Sequence, residues 1–368
     1  MGKQTMKAWR FYAFSDMRMD DIPVPPLRPG HVLVQMLVVQ PSVTEAQLAF
    51  GIPTLAFEKI KKRLETEAPV QLFGHEYCAR VLEVGPGVTR FQPGQRVAAR
   101  AKLPCQQCPL CLGGKANLCR QGPIIGFQLP GCFSEYAMLP EIALTLVDDR
   151  ISDSEAACLQ SLSDSVASVE TAGIRVGDTV ALLGQGSMGL ECMQVARVSG
   201  AGKIISVDVR PEACAMARQL GADHVIDASR EDVAATIREL TGGNGADVIF
   251  ECAGGSPKQG LAGVKSLMNA IDATRSGGTI VGVSWFGGPI EFPVDLLRER
   301  SLRYVFPDIS TLEHLEHTVR LVAGGRVRLK PTITHVLEGI DKVPQAFEIT
   351  ANKGRFQAIN PAQVVICR

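Results

Sequence analysis

The stretch VALLGQGSMG, residues 180–189, constrains the fold more than any other feature of this chain. Gly184, Gly186 and Gly189 stand as G-x-G-x-x-G between an apolar, β-branched run and a helix-like segment. In that setting the first glycine makes a tight turn, the second lets the backbone approach a bound phosphate, and the third lets helix and strand pack closely. The flanking sequence keeps the same rhythm. DTVALLG, KIISVDV, HVID, ADVIFECAG and GGTIVGVSW read as strands, and SMGLECMQVARVSGA, RPEACAMARQLGA, REDVAATIRELTG and KQGLAGVKSLMNAIDA read as helices. Near-continuous apolar strands separated by amphipathic helices imply a doubly wound α/β domain, a parallel sheet covered on both faces. It is expected over residues 155–304.

The rest of the chain has a different texture. HVLVQMLVV (31–39), ARVLEV (79–84) and GQRVAA (94–99) are short runs punctuated by VGPGV and FQPGQ, the pattern of a β-rich, barrel-like domain over residues 1–154. The tail, 305–368, regains strand-like pieces in TITHVL and AQVVI and is expected to return to that first domain. A chain of 368 residues is long enough for two independent cores.

The glycine motif is weak alone and gains weight from its context. Ser187, Met188 and Gly189 open a helix whose N-terminus suits a pyrophosphate, and Asp208 ends the next strand, 19 residues beyond Gly189. An acidic side chain there binds a ribose 2′-hydroxyl and repels a 2′-phosphate, which predicts NAD as the cofactor. Arg210, two residues on, is the group that would accept a 2′-phosphate.

PCQQCPLCLGGKANLC places Cys105, Cys108, Cys111 and Cys119 within sixteen residues of a chain holding eleven cysteines. The spacing, with Pro104, Pro109, Gly113 and Gly114 to bend the backbone, suits a structural zinc whose four sulfurs fill the coordination sphere. A C-x-x-C redox pair and an iron–sulfur cluster are the competing readings. The other seven cysteines are scattered through apolar or helical contexts and read as buried hydrophobes in a reducing compartment.

Lys+Arg and Asp+Glu both total 38, with no long block of one sign, which argues against a nucleic-acid or polybasic membrane surface. No apolar run reaches the length of a membrane span, and MGKQTMKAWRFYAF has no long apolar core. A soluble, cytoplasmic protein is expected.

Together the dinucleotide domain, the four-cysteine loop and GHEYCARVLEVGPGV (74–88) resemble the zinc-containing medium-chain dehydrogenase/reductase family, which includes alcohol, polyol and threonine dehydrogenases. The resemblance runs from MKAWRF through NLC and VGDTVALLGQGSMG to the final strand. It implies a GroES-like catalytic domain built from both chain ends around a Rossmann domain, a homodimer or homotetramer, and a small-molecule substrate bound in the cleft between domains. It also implies a second, catalytic zinc held by a cysteine, the histidine of GHE and a later acidic residue or cysteine. His75 matches that histidine and Glu76 the acid beside it. The cysteine position falls on Ser42 and the later ligand on Gln160, both neutral and weak for zinc, so the usual second site is expected to be empty. Thr44 then matches a proton-relay hydroxyl, His75 is the relay or residual ligand, and Ser42 is a hydrogen-bond donor. Val283, in GGTIVGVS, falls where the family brings backbone near the nicotinamide carboxamide.

The resulting expectation is an NAD-dependent oxidoreductase acting on a secondary alcohol or ketone. Reduction of conjugated enones or enals and a non-catalytic NAD(H)-binding regulatory role are the alternatives. Between Ser42 and His75 lie 32 residues, including IPTLAFEKIKKRLETEAP, which reads as an amphipathic helix with Leu55, Phe57, Ile60 and Leu64 on one side. A lid or wall of the substrate pocket is expected of it, with Phe127, Trp285 and Phe286 adding apolar surface for a mid-sized or cyclic substrate.

Overall fold

The computed structural model describes residues 4–255, 263–286 and 288–367. Two compact units divide the chain: one from residues 1–163, 310–324 and 333–368, the other from 164–309 and 325–332.

In the first unit, strand His31–Gln40 is the spine of a seven-stranded sheet. It pairs antiparallel with Glu76–Val84 on one side, and with Tyr136–Pro140 and Gln363–Val365 along the other. Its burial explains its composition. The first half alternates between half-buried and buried positions, while residues 36–40 are buried on both faces. Strands Arg96–Ala99 and Leu144–Leu146 extend the sheet at one edge, and Val336–Glu338 extends it at the other. A separate hairpin, Thr5–Ala13 with Asp16–Pro23, packs Phe11 into the same core as Val34, Phe73, Phe133 and Phe347.

The insertion forms a helix, but a shorter one than its pattern suggests. It spans Phe57–Glu67, buries Ile60 and Leu64, and stacks Phe57 on Phe14 at 5.1 Å. Leu55, expected on the apolar side, lies outside the helix and is 46 % exposed, because Ala56 turns the chain through a left-handed conformation (φ 66°).

The second unit is a six-stranded parallel sheet in the order His224–Asp227, Lys203–Asp208, Thr179–Leu183, Ala246–Glu251, Thr274–Gly282, Arg303–Val305. Numbered within the unit this is 3-2-1-4-5-6, the doubly wound order that reverses beside the first strand. Of the helix expected over 258–273, Val264–Ala273 is described, and 258–262 lie outside the described residues. Residues 325–332, read above with the returning tail, pack in this unit. Val327 and Leu329 are buried, and Arg328 N–H donates to Gln194 Oε1 at 2.8 Å.

Candidate active site, dinucleotide cradle and thiolate cluster

Ser42 caps helix Val43–Ala49. Its hydroxyl accepts from Glu45 N–H at 3.2 Å while Glu45 Oε2 accepts from Ser42 N–H at 3.0 Å, a reciprocal capping box. That box fixes the direction of the fully buried Glu45 side chain. Its other oxygen, Oε1, accepts from Gly74 N–H at 2.9 Å and lies 2.6 Å from His75 Nδ1. The buried carboxylate favours a proton on Nδ1, which leaves Nε2 as the basic nitrogen. Gly74 is required here. It sits at φ 85°, and an added Cβ would lie 2.9 Å from the Phe133 ring. Just before it, Phe73 holds φ 67° inside an aromatic cluster with Phe11 and Phe127, and Phe127 lies 6.0 Å from the His75 ring, centroid to centroid. Arg63 of helix Phe57–Glu67 donates to the Phe127 carbonyl, tying the insertion to the ring that borders His75.

Thr44 is half-buried, in the first turn of the same short helix. Glu76 is buried and accepts from Gln40 Nε2 at 2.5 Å, within a polar network that also holds Gln363, Asn360 and the Cys158 thiol. Cys158 therefore sits in packing and hydrogen bonds. Gln160, one residue into helix Leu159–Ala172, is 6 % exposed. Glu45 is the functional residue that the family pattern does not point to. The signal for its structural place was there in S-x-x-E.

In the second unit the glycine loop has the shape its spacing requires. Gly184 turns the chain at φ 95°, and a Cβ on Gly189 would stand 1.8 Å from Gly184 O. Gly186 caps helix Ser187–Val198, and the buried Ser187 hydroxyl has no hydrogen-bond partner among the described residues. An orphaned hydroxyl at a helix N-terminus, beside a turn that only glycine fits, suits a phosphate. Asp208 is 9 % exposed and accepts from Gln185 N–H at 2.6 Å and Arg210 N–H at 2.8 Å. The cap of helix Pro211–Leu220 is Arg210, so Asp208 is no simple helix cap. Arg210 lies along it, Nε 3.5 Å from Oδ1. Val283 N–H donates to Glu251 O at 3.0 Å. Trp285 is 58 % exposed, whereas Phe286 packs against the unit's core.

Cys105, Cys108, Cys111 and Cys119 are brought together with all four sulfurs within 4.8 Å of one another, the one such set of three or more His, Cys, Asp or Glu groups among the described residues. The Cys105–Cys111 and Cys108–Cys119 separations are 3.9 and 3.8 Å, and none of the eleven cysteines is in a disulfide. Four thiolates about 2.3 Å from a tetrahedral ion stand about 3.8 Å apart, so the donor set fits zinc. Backbone N–H groups point at the sulfurs, and those of Cys105 and Gln121 help pull the Cys119 thiol down to about 6. Burial depresses the nearby Arg100 and Lys102, while Cys111 and Cys119 respectively favour their charged forms.

Residues 28–149 match the family described as alcohol dehydrogenase GroES-like domain, and residues 187–308 match that described as zinc-binding dehydrogenase. The chain is 29 % identical to the L-threonine 3-dehydrogenase of Rhizobium etli over 341 residues, 92 % of this chain and 93 % of that one. A solved structure from Sinorhizobium meliloti, described as a zinc-binding dehydrogenase bound to NADP, is similar with a TM-score of 0.84 and 27 % identity over the whole of both chains. An Escherichia coli oxidoreductase/dehydrogenase of unknown specificity shares the fold with a TM-score of 0.88 and 24 % identity, covering 99 % of this chain and 100 % of that one.

Proposed function

Because the chain belongs to the zinc-containing medium-chain dehydrogenase/reductase family, we propose that it is an NAD-dependent oxidoreductase that moves hydride between nicotinamide and the carbon of a secondary alcohol or ketone. The observation that carries the reading is the His75–Glu45 pair: an imidazole at the family's metal position, oriented by a buried carboxylate. When bound, the dinucleotide supplies or accepts the hydride. Gly184, Gly186, Ser187, Met188 and Gly189 hold its phosphates, Asp208 and Arg210 its ribose, and Val283 its carboxamide end. The Asp208 carboxylate favours NAD over NADP, and relative kcat/KM for the two tests that preference.

Cys105, Cys108, Cys111 and Cys119 hold one structural zinc in this reading. The second metal position does not fit zinc. Ser42 is engaged in its capping box, and Gln160 contributes a neutral amide where the family has a charged ligand. His75 and Thr44 instead carry the proton that leaves or joins the substrate oxygen, Ser42 assists as a hydrogen-bond donor, and Glu76 braces the strand behind them. Phe127 and the helix tied to it by Arg63 form an apolar wall for a mid-sized or cyclic substrate. This neutral donor set also favours a second reading, reduction of conjugated enones, which need less help at the oxygen than simple ketones.

Zinc content per subunit and turnover of His75→Ala and Thr44→Val on a panel of alcohols, ketones and enones test the proposal. One zinc per subunit, lost in Cys105→Ser, with turnover falling about a hundredfold in both relay variants is expected. Two zincs in the wild type would restore the family's metal-bound alcohol mechanism. Binding of NADH without turnover of any substrate would point to a regulatory protein.

A further inference from the structure

Glu251 is the last residue of strand Ala246–Glu251, the strand beside Thr179–Leu183 where the sheet order reverses. It is fully buried, yet it carries a carboxyl group. Oε1 accepts from the Ser266 hydroxyl at 2.6 Å and Ala253 N–H at 3.1 Å, and Oε2 accepts from the Ser284 hydroxyl. Its backbone carbonyl accepts from Val283 and Ser284 N–H. Burial pushes its carboxyl up, while the two serines and the N–H groups of Ala253 and Gly254 oppose that rise by favouring the ionised form. A protein that needed only packing here would place an apolar side chain, which costs nothing to bury.

Location gives the charge a use. A dinucleotide lies across the C-terminal strand ends at the reversal, with one mononucleotide half on each set of three strands. Asp208, on the strand Lys203–Asp208, marks the adenosine ribose, so the nicotinamide half falls on the set that begins with Ala246–Glu251. The loops that Glu251 fastens, 252–255 and 283–286, follow the first two strands of that set. The oxidised ring carries a positive charge and the reduced ring none.

We propose, resting on the dinucleotide reading above, that the Glu251 carboxylate is a buried counter-charge to the oxidised nicotinamide, so that it raises the affinity for NAD+ relative to NADH. It is a positioning residue that acts through the loops and through its field. Unit charges separated by about 8–10 Å in a partly polarisable interior change relative affinity by about 3- to 30-fold.

The test is the dissociation constants of NAD+ and NADH, measured by calorimetry on wild type, Glu251→Gln and Ser284→Ala at one pH and ionic strength. In Glu251→Gln the amide donates to the Ser284 oxygen while the carbonyl keeps Ser266 and Ala253, so NAD+ should weaken by about 3- to 30-fold relative to NADH. Ser284→Ala removes one of the donors that favour the ionised carboxyl, makes the buried charge harder to hold, and should shift the ratio the same way by a smaller factor. Equal loss of both affinities in Glu251→Gln, or an unchanged ratio, overturns the proposal and leaves Glu251 a brace for the loops. If Glu251→Gln does not fold, the sign of the Ser284→Ala shift decides, and no shift overturns it. A wild type that binds neither dinucleotide overturns the cofactor reading as well, and that outcome is distinct from a changed ratio.

Discussion

Glu45 receives two backbone N–H groups and one imidazole through two oxygens, so its removal orphans several buried groups at once. Glu45→Ala is expected to lower stability by about 2–5 kcal/mol in urea titrations, whereas Thr44→Val changes it by less than about 1 kcal/mol. Equal losses in the two variants would mean that the carboxylate is not the hub. The local half of this arrangement was legible, since Ser42 and Glu45 stand three apart at the head of a helix. The long-range half was not. Nothing in the spacing says which of the nearby acids faces an imidazole 30 residues on, and Glu76, the immediate neighbour of His75, turns into a different network with Gln40. The two residues belong to different local structures, since His75 ends the irregular segment and Glu76 opens strand Glu76–Val84 beside Gln40.

Among the elements, helix Phe57–Glu67 was readable from Ile60 and Leu64, four apart and both buried. Its start was not, because a left-handed turn at Ala56 is a tertiary choice that apolar periodicity does not report. Ile60→Ala should cost about 2–4 kcal/mol by thermal or chemical denaturation, as expected for emptying a packed site, and Lys61→Ala should cost less than about 0.5 kcal/mol. Comparable effects from both would show that the helix lies loosely on the surface. The hairpin strand Asp16–Pro23 escaped notice for a different reason. Its side chains are exposed or half-buried throughout, so the brief alternation in DMRMD, broken at Asp20-Asp21, has no buried face behind it and no β-branched run to mark it as a strand. Five of the six parallel strands of the second unit were legible, the central ones because burial on both faces writes an apolar run directly into the sequence, whereas the edge strand Arg303–Val305, exposed or half-buried throughout, was not.

Across the whole molecule, the thiolate cluster belongs to one compact unit and the glycine loop to the other. Two-unit chains need not unfold in one step. Calorimetry should therefore separate two responses: a zinc chelator lowers the transition of the first unit, and NADH at a hundredfold excess over its dissociation constant stabilises the second by about 2.7 kcal/mol. A single transition shifted alike by both additions would contradict this. The broad division into a β-rich and a doubly wound part was legible from texture, but the seam inside Leu159–Ala172 was not, since a helix continues across it without any change in pattern. The first unit has a further property that follows from its spine. Strand His31–Gln40 is completed by Gln363–Val365, and Ala358, Ala362 and Val364 are wholly buried around that pairing. On the ribosome, the unit whose first strand is translated earliest must wait for residues 358–365, while the doubly wound unit has all its strands by residue 305. The part begun second is finished first, and the half-built sheet has to be kept from aggregating for most of the chain's synthesis.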